Sequence, residues 1–287
     1  MFSNCSNHAL NIRKLAPAMQ AIEFIDQQYF SGQYRYISPS ADLAPHVVYY
    51  WLLDLRKPVP DNEEFRELLM ANMNSSLVLN MGAPFEICNA EGQLLHSCRG
   101  SELIGYQTTP VSYRHHPNNF LAGIKFKPAS LNYLFHVKGA DMHRQTLSAH
   151  DVMSQVPALE SAVYDATNLD TIKSLLENFL RRYAAQATDN HRFACILQSL
   201  NGPALQQSGF QLKKLAGLLY VSPRTLERYF SEALNISPKK CLSILRFRQA
   251  AEQYTRLGYK ADWEELGYHD FSHFRKEWHK WSVSLSE

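Results

Sequence analysis

The side chains best placed for chemistry cluster at the starts of two helical patterns near the C-terminus. In the first, Ser222-Pro223 offers a capping hydroxyl followed by a proline at the first helical position. Leu226, Tyr229, Phe230, Ala233 and Leu234 then share one face, so Arg224, Thr225, Glu227 and Arg228 point away from it. In the second, Asp270 is the expected cap, and Phe274, Trp278 and Trp281 turn inward. Phe271, Ser272, His273, Arg275 and Lys276 take its more exposed positions. Arginine can place two donors on guanine O6 and N7, and serine can reach base edges. Glu227 can accept from a cytosine amino group, or pair with Arg224 or Arg228 along the helix surface. This is the chemistry of reading a double helix, and it makes or breaks no covalent bond.

The elements that must carry these residues can be followed along the same stretch. Leu212, Leu215, Ala216 and Leu219 form an apolar helical face, and a short break at Tyr220-Val221 separates it from the helix after Ser222. Two short helices, a tight turn and an exposed basic N-terminal half describe a helix-turn-helix. Asn235 tolerates the left-handed backbone that ends a helix, and Ser237-Pro238 starts a longer one that Gly258 stops. Its apolar face includes Cys241, Ile244, Leu245, Ala251 and Tyr254, and Lys239, Lys240, Arg246 and Arg248 lie along its exposed sides, where phosphate contacts are natural. A further short helix containing Trp263 and Leu266 leads through Gly267-Tyr268-His269 to Asp270. One long helix thus joins two helix-turn-helix units.

The remainder of the chain reads differently. Val47–Leu53, Leu77–Leu79, Phe85–Cys88 and Leu94–His96 read as strands, the last two around a turn at Asn89-Ala90-Glu91-Gly92. Val111–Arg114 and Phe120–Phe126 are expected to form a hairpin about Pro117-Asn118-Asn119. After Pro128 the spacing becomes helical, most strongly at Ile172, Leu175, Leu176, Phe179 and Leu180. The expected fold class is therefore α+β, with a mainly antiparallel sandwich or barrel and flanking helices, then an all-α domain. The boundaries fall at 1–155 for the β-rich domain, 156–190 for a helical connector, and 191–287 for the DNA-binding domain. Charge divides the same way: residues 191–287 hold 14 Lys+Arg against 9 Asp+Glu, and the first 190 hold 15 against 18. A basic back joined to an acidic front suits a polyanion-binding module attached to a sensor.

Other chemistries find little support. His96-Ser97-Cys98, Cys88 and His115-His116 have no zinc-motif spacing, and adjacent strand residues point to opposite faces, so no metal or other cofactor is expected. Cys195 and Cys241 fall on apolar helical faces as small core residues, and five scattered cysteines do not make a disulfide framework. Neither a nucleophile-base pattern nor a phosphate loop appears, so no enzymatic activity is expected. The longest apolar run, Val47 to Leu53, falls far short of the roughly twenty residues of a membrane span. With no secretory pattern at the N-terminus, a cytoplasmic location is expected. Tyr49-Tyr50-Trp51 could line an effector pocket, although alternation sends about half of them to the core.

The run from Leu212 to Trp281 resembles the DNA-binding domain of the AraC/XylS family of transcription regulators. The resemblance rests on Leu215-Ala216, Val221-Ser222-Pro223, Thr225-Leu226, Phe230, Ile236-Ser237-Pro238, Arg246 with Ala250, and Gly267-Tyr268-His269-Asp270-Phe271-Ser272-His273-Phe274. It implies two recognition helices in successive major grooves, with Arg224, Glu227 and Arg228 facing bases in the first, and Phe271, Ser272, His273 and Lys276 at the matching places in the second. The sequence departs from the family at Tyr220, where glycine is usual, and at Asp262-Trp263, where an apolar residue and alanine are usual. The segment between Gly258 and Leu266 is also about two residues short of the family's pattern. Leu43-Ala44-Pro45 before Tyr50-Trp51, Gly105-Tyr106-Gln107 and Phe126-Lys127-Pro128 more faintly resemble the sensor-like, sometimes cupin-like, β domain of some members. The partners implied are double-stranded DNA, a small-molecule effector, RNA polymerase and a second copy of the chain. The competing readings are a cupin-like enzyme, or a structural dimerisation protein, carrying a degenerate helix-turn-helix tail.

Overall fold

The computed structural model describes residues 23–25, 33–56, 65–188, 190–201 and 211–282. The strands in chain order are β1 (Glu23–Ile25), β2 (Tyr34–Ile37), β3 (Val47–Asp54), β4 (Phe65–Leu69), β5 (Ser75–Asn80), β6 (Phe85–Asn89), β7 (Leu94–Cys98), β8 (Glu102–Ile104), β9 (Val111–His115), β10 (Phe120–Phe126) and β11 (Thr146–Ser148). They build two antiparallel sheets, one ordered β1-β4-β9-β6-β7 and the other β11-β8-β5-β10-β3-β2. The result is an open sandwich and not a closed barrel.

The six-stranded sheet is the middle layer of three. On β3, β5, β8 and β10, Leu53, Val78, Ile104 and Leu121 join Leu69, Phe85, Ile87, Cys98 and Val111 of the other sheet in one core. Their neighbours Leu52, Leu77, Leu79, Leu103, Ala122 and Ile124 point the opposite way, into a core shared with the helices. A sheet covered on both faces loses its polar alternation, so β5 and β10 are buried at every position.

The β9–β10 hairpin expected from sequence does not form. β9 pairs with β4 and β6, while β10 pairs with β3 and β5 in the other sheet. Pro117-Asn118-Asn119 is instead an arch between sheets. Asn118 takes a left-handed φ of 67°, and the fully buried Asn119 amide donates to the Ala83 and Pro84 carbonyls and accepts from the His116 N–H.

Helices α1 (Ser130–Phe135), α2 (Gly139–Met142), α3 (Ala149–Val152), α4 (Val156–Tyr164) and α5 (Leu169–Ala184) cover the inner sheet. α5 packs against β2 and β3, where the Ser40 N–H and hydroxyl both donate to buried Glu177 at 2.8 Å. Then follow α6 (Asn190–Asn201), α7 (Leu212–Leu218), α8 (Pro223–Leu234), α9 (Pro238–Leu257) and α10 (Phe271–Trp281). The short helix expected around Trp263 and Leu266 is only a turn, closed by Leu266 N–H to Asp262 O at 3.2 Å and Tyr268 N–H to Trp263 O at 2.8 Å. Gly258–Lys260 forms a 3₁₀ turn before it. A segment this short has no room for a second full helix, and aromatic packing takes over its role. Trp263 stacks on Phe274 at 4.8 Å, Tyr259 meets Phe271 at 4.6 Å, and Tyr254 lies among them.

Candidate nucleic-acid interface

The first recognition element is α7–turn–α8. Ser222 caps α8 by accepting from the Thr225 N–H at 3.0 Å, and Pro223 fills the first helical position. The turn is made by Tyr220 at φ 55°, with Val221 N–H reaching back to Ala216 O at 3.0 Å. Leu226, Phe230, Ala233 and Leu234 are buried, and Arg224, Glu227 and Arg228 stand exposed on the opposite side. Thr225 is half-buried, and its hydroxyl lies 2.8 Å from that of Ser222. It therefore completes the cap rather than facing outward.

The second element is α10. Asp270 caps it by accepting from the His273 N–H at 2.8 Å, and that bond holds its carboxyl below the usual carboxylate range. Ser272, His273, Arg275 and Lys276 are exposed. Phe271 is not among them, because it is half-buried against Tyr254, Tyr259 and Trp263.

Two of the basic residues expected along α9 point inward. Arg246 lies 3.5 Å from Glu277 and 5.0 Å over the ring of Tyr268, whose hydroxyl donates to the same carboxylate at 2.5 Å. Burial, then Glu277, pushes the Tyr268 phenol up, which keeps it a donor. This network ties α9 to α10. Arg248 is only 3% exposed and donates to the Ala71 carbonyl at 3.2 Å. Ala71 N–H in turn donates to Trp281 O at 2.9 Å, so this arginine joins the helical region to the β-rich region. Lys239 and Lys240 remain exposed, as do Lys213 and Lys214 on α7.

A second contact fixes the end of α8. The buried Tyr106 hydroxyl donates to the carbonyls of Gly139 and Leu234. Gly139 is required because a Cβ there would lie 2.6 Å from the Leu234 nitrogen. The exposed N-terminal half of α8 stays clear while its C-terminal end is docked. Sequence spacing does not reveal this contact, because Tyr106 and Leu234 lie far apart along the chain.

In the β-rich region a narrow cleft opens between the sheets, lined by Tyr34, Trp51, Phe85, Tyr113, His115 and Lys125 among others. Trp51 faces this cleft and stacks on Tyr34 at 6.1 Å, while Tyr50 is core on the other face. A group able to hold a metal lies elsewhere: His96, Cys98 and Glu102 bring their ligand atoms within 4.8 Å of one another. Cys98 is fully buried, and burial followed by the Glu102 carboxylate pushes its thiol up. Sequence spacing does not show that Glu102, just beyond Arg99-Gly100-Ser101, turns back toward Cys98, because that direction is set by its pairing with Val78 in the other sheet.

Residues 215–283 match the family described as a helix-turn-helix domain. The C-terminal domain is an AraC-type helix-turn-helix domain. A helix-turn-helix domain of this type makes the protein a DNA-binding transcription regulator. Residues 35–148 match a domain of unknown function, DUF6597. No curated protein matches the chain. Among solved structures, ToxT from Vibrio cholerae is 9% identical with a TM-score of 0.41, over 87% of this chain and 93% of that one. The AraC-like transcriptional activator CuxR is 12% identical with a TM-score of 0.24, over 84% of this chain and 93% of that one. Among the described residues, no helix is long and apolar enough to cross a membrane.

Proposed function

We propose that this regulator reads DNA sequence chiefly through Arg224, Glu227 and Arg228 on α8, and that α10 adds Ser272, His273, Arg275 and Lys276. The supporting observation is the capped α8, whose apolar face is fully spent on the core while these three charged side chains stand free of it. Lys213, Lys214, Lys239 and Lys240 supply phosphate anchoring, which carries affinity but not sequence. Arg246 and Thr225 act indirectly, by holding α10 and the α8 cap in place. The aromatic turn before α10 makes the second unit the weaker reader.

The β-rich region, residues 1–155, is the sensor in this reading, with 156–190 as connector and 191–287 as the DNA-binding part. The inter-sheet cleft suits a small, largely apolar ligand, because Tyr34, Trp51, Phe85 and Tyr113 wall it and Glu67, His115 and Lys125 place a few polar groups among them. The protein acts by binding rather than by catalysis, in the cytoplasm. A second copy and RNA polymerase are the further partners.

The test is a salt-dependent binding titration against fragments from around the protein's own gene, with a scrambled competitor. Specific binding that Arg228→Ala weakens by about 1–3 kcal/mol, with relaxed preference at one base position, is the expected result. Binding of equal strength to every sequence, with no preferred site from genomic selection, would overturn the reading.

A further inference from the structure

We propose that His96, Cys98 and Glu102 form a binding site for a divalent transition metal of the zinc type, at the corner where the chain passes from one sheet to the other. This site is independent of the DNA-binding reading.

The geometry follows from strand alternation. His96 and Cys98 are two apart on β7, an outer strand of the five-stranded sheet, so they share a face. Cys98 belongs to the core between the sheets, which sets the direction of that face. Glu102 pairs directly with Val78, itself part of the same core, so its carboxylate enters the layer from the opposite sheet. Only Arg99-Gly100-Ser101 separates the two strands. The arch thus folds three different donors onto one point.

At that point the His96 Nε2 lies 3.0 and 2.8 Å from the two Glu102 oxygens. With the Cys98 Sγ, the three donors fall within 4.8 Å of one another. Donors around one tetrahedral zinc ion stand roughly 3.5 Å apart, given metal bonds of about 2.0–2.3 Å. Small side-chain rotations cover the difference. Glu102 has a side-chain exposure of 12%, and a carboxylate taken that far from water needs compensating charge. A dication bound at this point supplies it. Sulfur and imidazole donors favour zinc, cobalt or iron over magnesium or calcium. His96, at 41%, leaves the site open toward solvent, giving the metal an entry path and room for a fourth ligand. As the metal–sulfur bond forms, the thiol proton leaves to solvent.

The experiment uses the full-length protein, stripped of metal with a chelator and titrated with Co²⁺. A thiolate-to-cobalt charge-transfer absorption that saturates at one equivalent and is displaced by Zn²⁺ is expected. Cys98→Ser, a near-isosteric change, should abolish the band, whereas Cys88→Ser should leave it intact. His96→Ala and Glu102→Gln should weaken binding by at least about tenfold. His96 is half-exposed, so His96→Ala serves as the test should Cys98→Ser fail to fold. In a parallel melt, Zn²⁺ should raise the unfolding temperature of the unmodified protein and not that of His96→Ala. Absence of the band, its survival in Cys98→Ser, or equal Zn²⁺ affinity in His96→Ala would overturn the proposal.

Discussion

Tyr220 offers a mutation whose sign runs against the usual expectation. It makes the turn of the first helix-turn-helix at φ 55°, a left-handed conformation, and its side chain is 96% exposed. A non-glycine residue there carries a steric cost of about 1–2 kcal/mol. Glycine removes that cost but enlarges the unfolded ensemble, giving back about 0.5–1 kcal/mol. Little packing is lost with a side chain that projects into water. Tyr220→Gly should therefore stabilise the protein by about 0.5–1 kcal/mol. For a chain of this size that corresponds to roughly 1–4 °C in melting temperature. Tyr220→Ala isolates the cause, because alanine removes the ring and keeps the Cβ. Urea unfolding of the three proteins side by side is the assay. Stability ordered glycine above tyrosine and alanine supports the turn strain. If Tyr220→Gly is no more stable than Tyr220→Ala, the reasoning is refuted and the exposed ring has an unrecognised role.

Tyr106→Phe leaves the Gly139 and Leu234 carbonyls without their buried donor, which should cost about 1–3 kcal/mol and speed proteolysis between the β-rich and helical regions. Ser222→Ala removes the α8 cap and should cost about 1 kcal/mol in urea unfolding, with a parallel loss of specific DNA affinity. Acid should weaken the junction between the two regions. Burial, then Lys127, lowers the His46 pKa, and burial, then Lys240 and Arg144, lowers that of His143. The unfolded chain takes up these protons first as pH falls through about 6.5, so stability declines below that pH and levels off beneath the lowered folded-state values. Replacing His143 by Gln should flatten part of that decline in thermal melts between pH 7 and 5; an unchanged profile would count against its contribution. Asp270 acts in the more acidic range, since its contribution is present above the ordinary carboxylate pKa and vanishes as pH falls through its lowered value.

The helical domain was legible because its signals are local. Ser222, Ser237 and Asp270 cap the helices that follow them, and Asn235 and Gly258 end theirs at positive φ, as residue chemistry within a few positions dictates. The exposed positions of Arg224, Glu227, Arg228, Ser272, His273, Arg275 and Lys276 followed from the same helical period. That period says which face turns outward from one helix, and nothing about what another element brings to a face. Arg248 therefore read as a phosphate contact although it is buried against Ala71, and Phe271 read as exposed although it is packed among aromatic rings. The β region met the same limit more severely. Strands announce their own residues but not their partners, so β9 and β10 read as a hairpin when they belong to different sheets. The meeting of Tyr106 with Leu234 depends on how whole layers stack, and that of His96 and Cys98 with Glu102 on an arch that carries the chain from one sheet to the other. Local propensity fixes helices and caps at a range of a few residues; pairing and packing across tens of residues are decided only when the chain closes on itself.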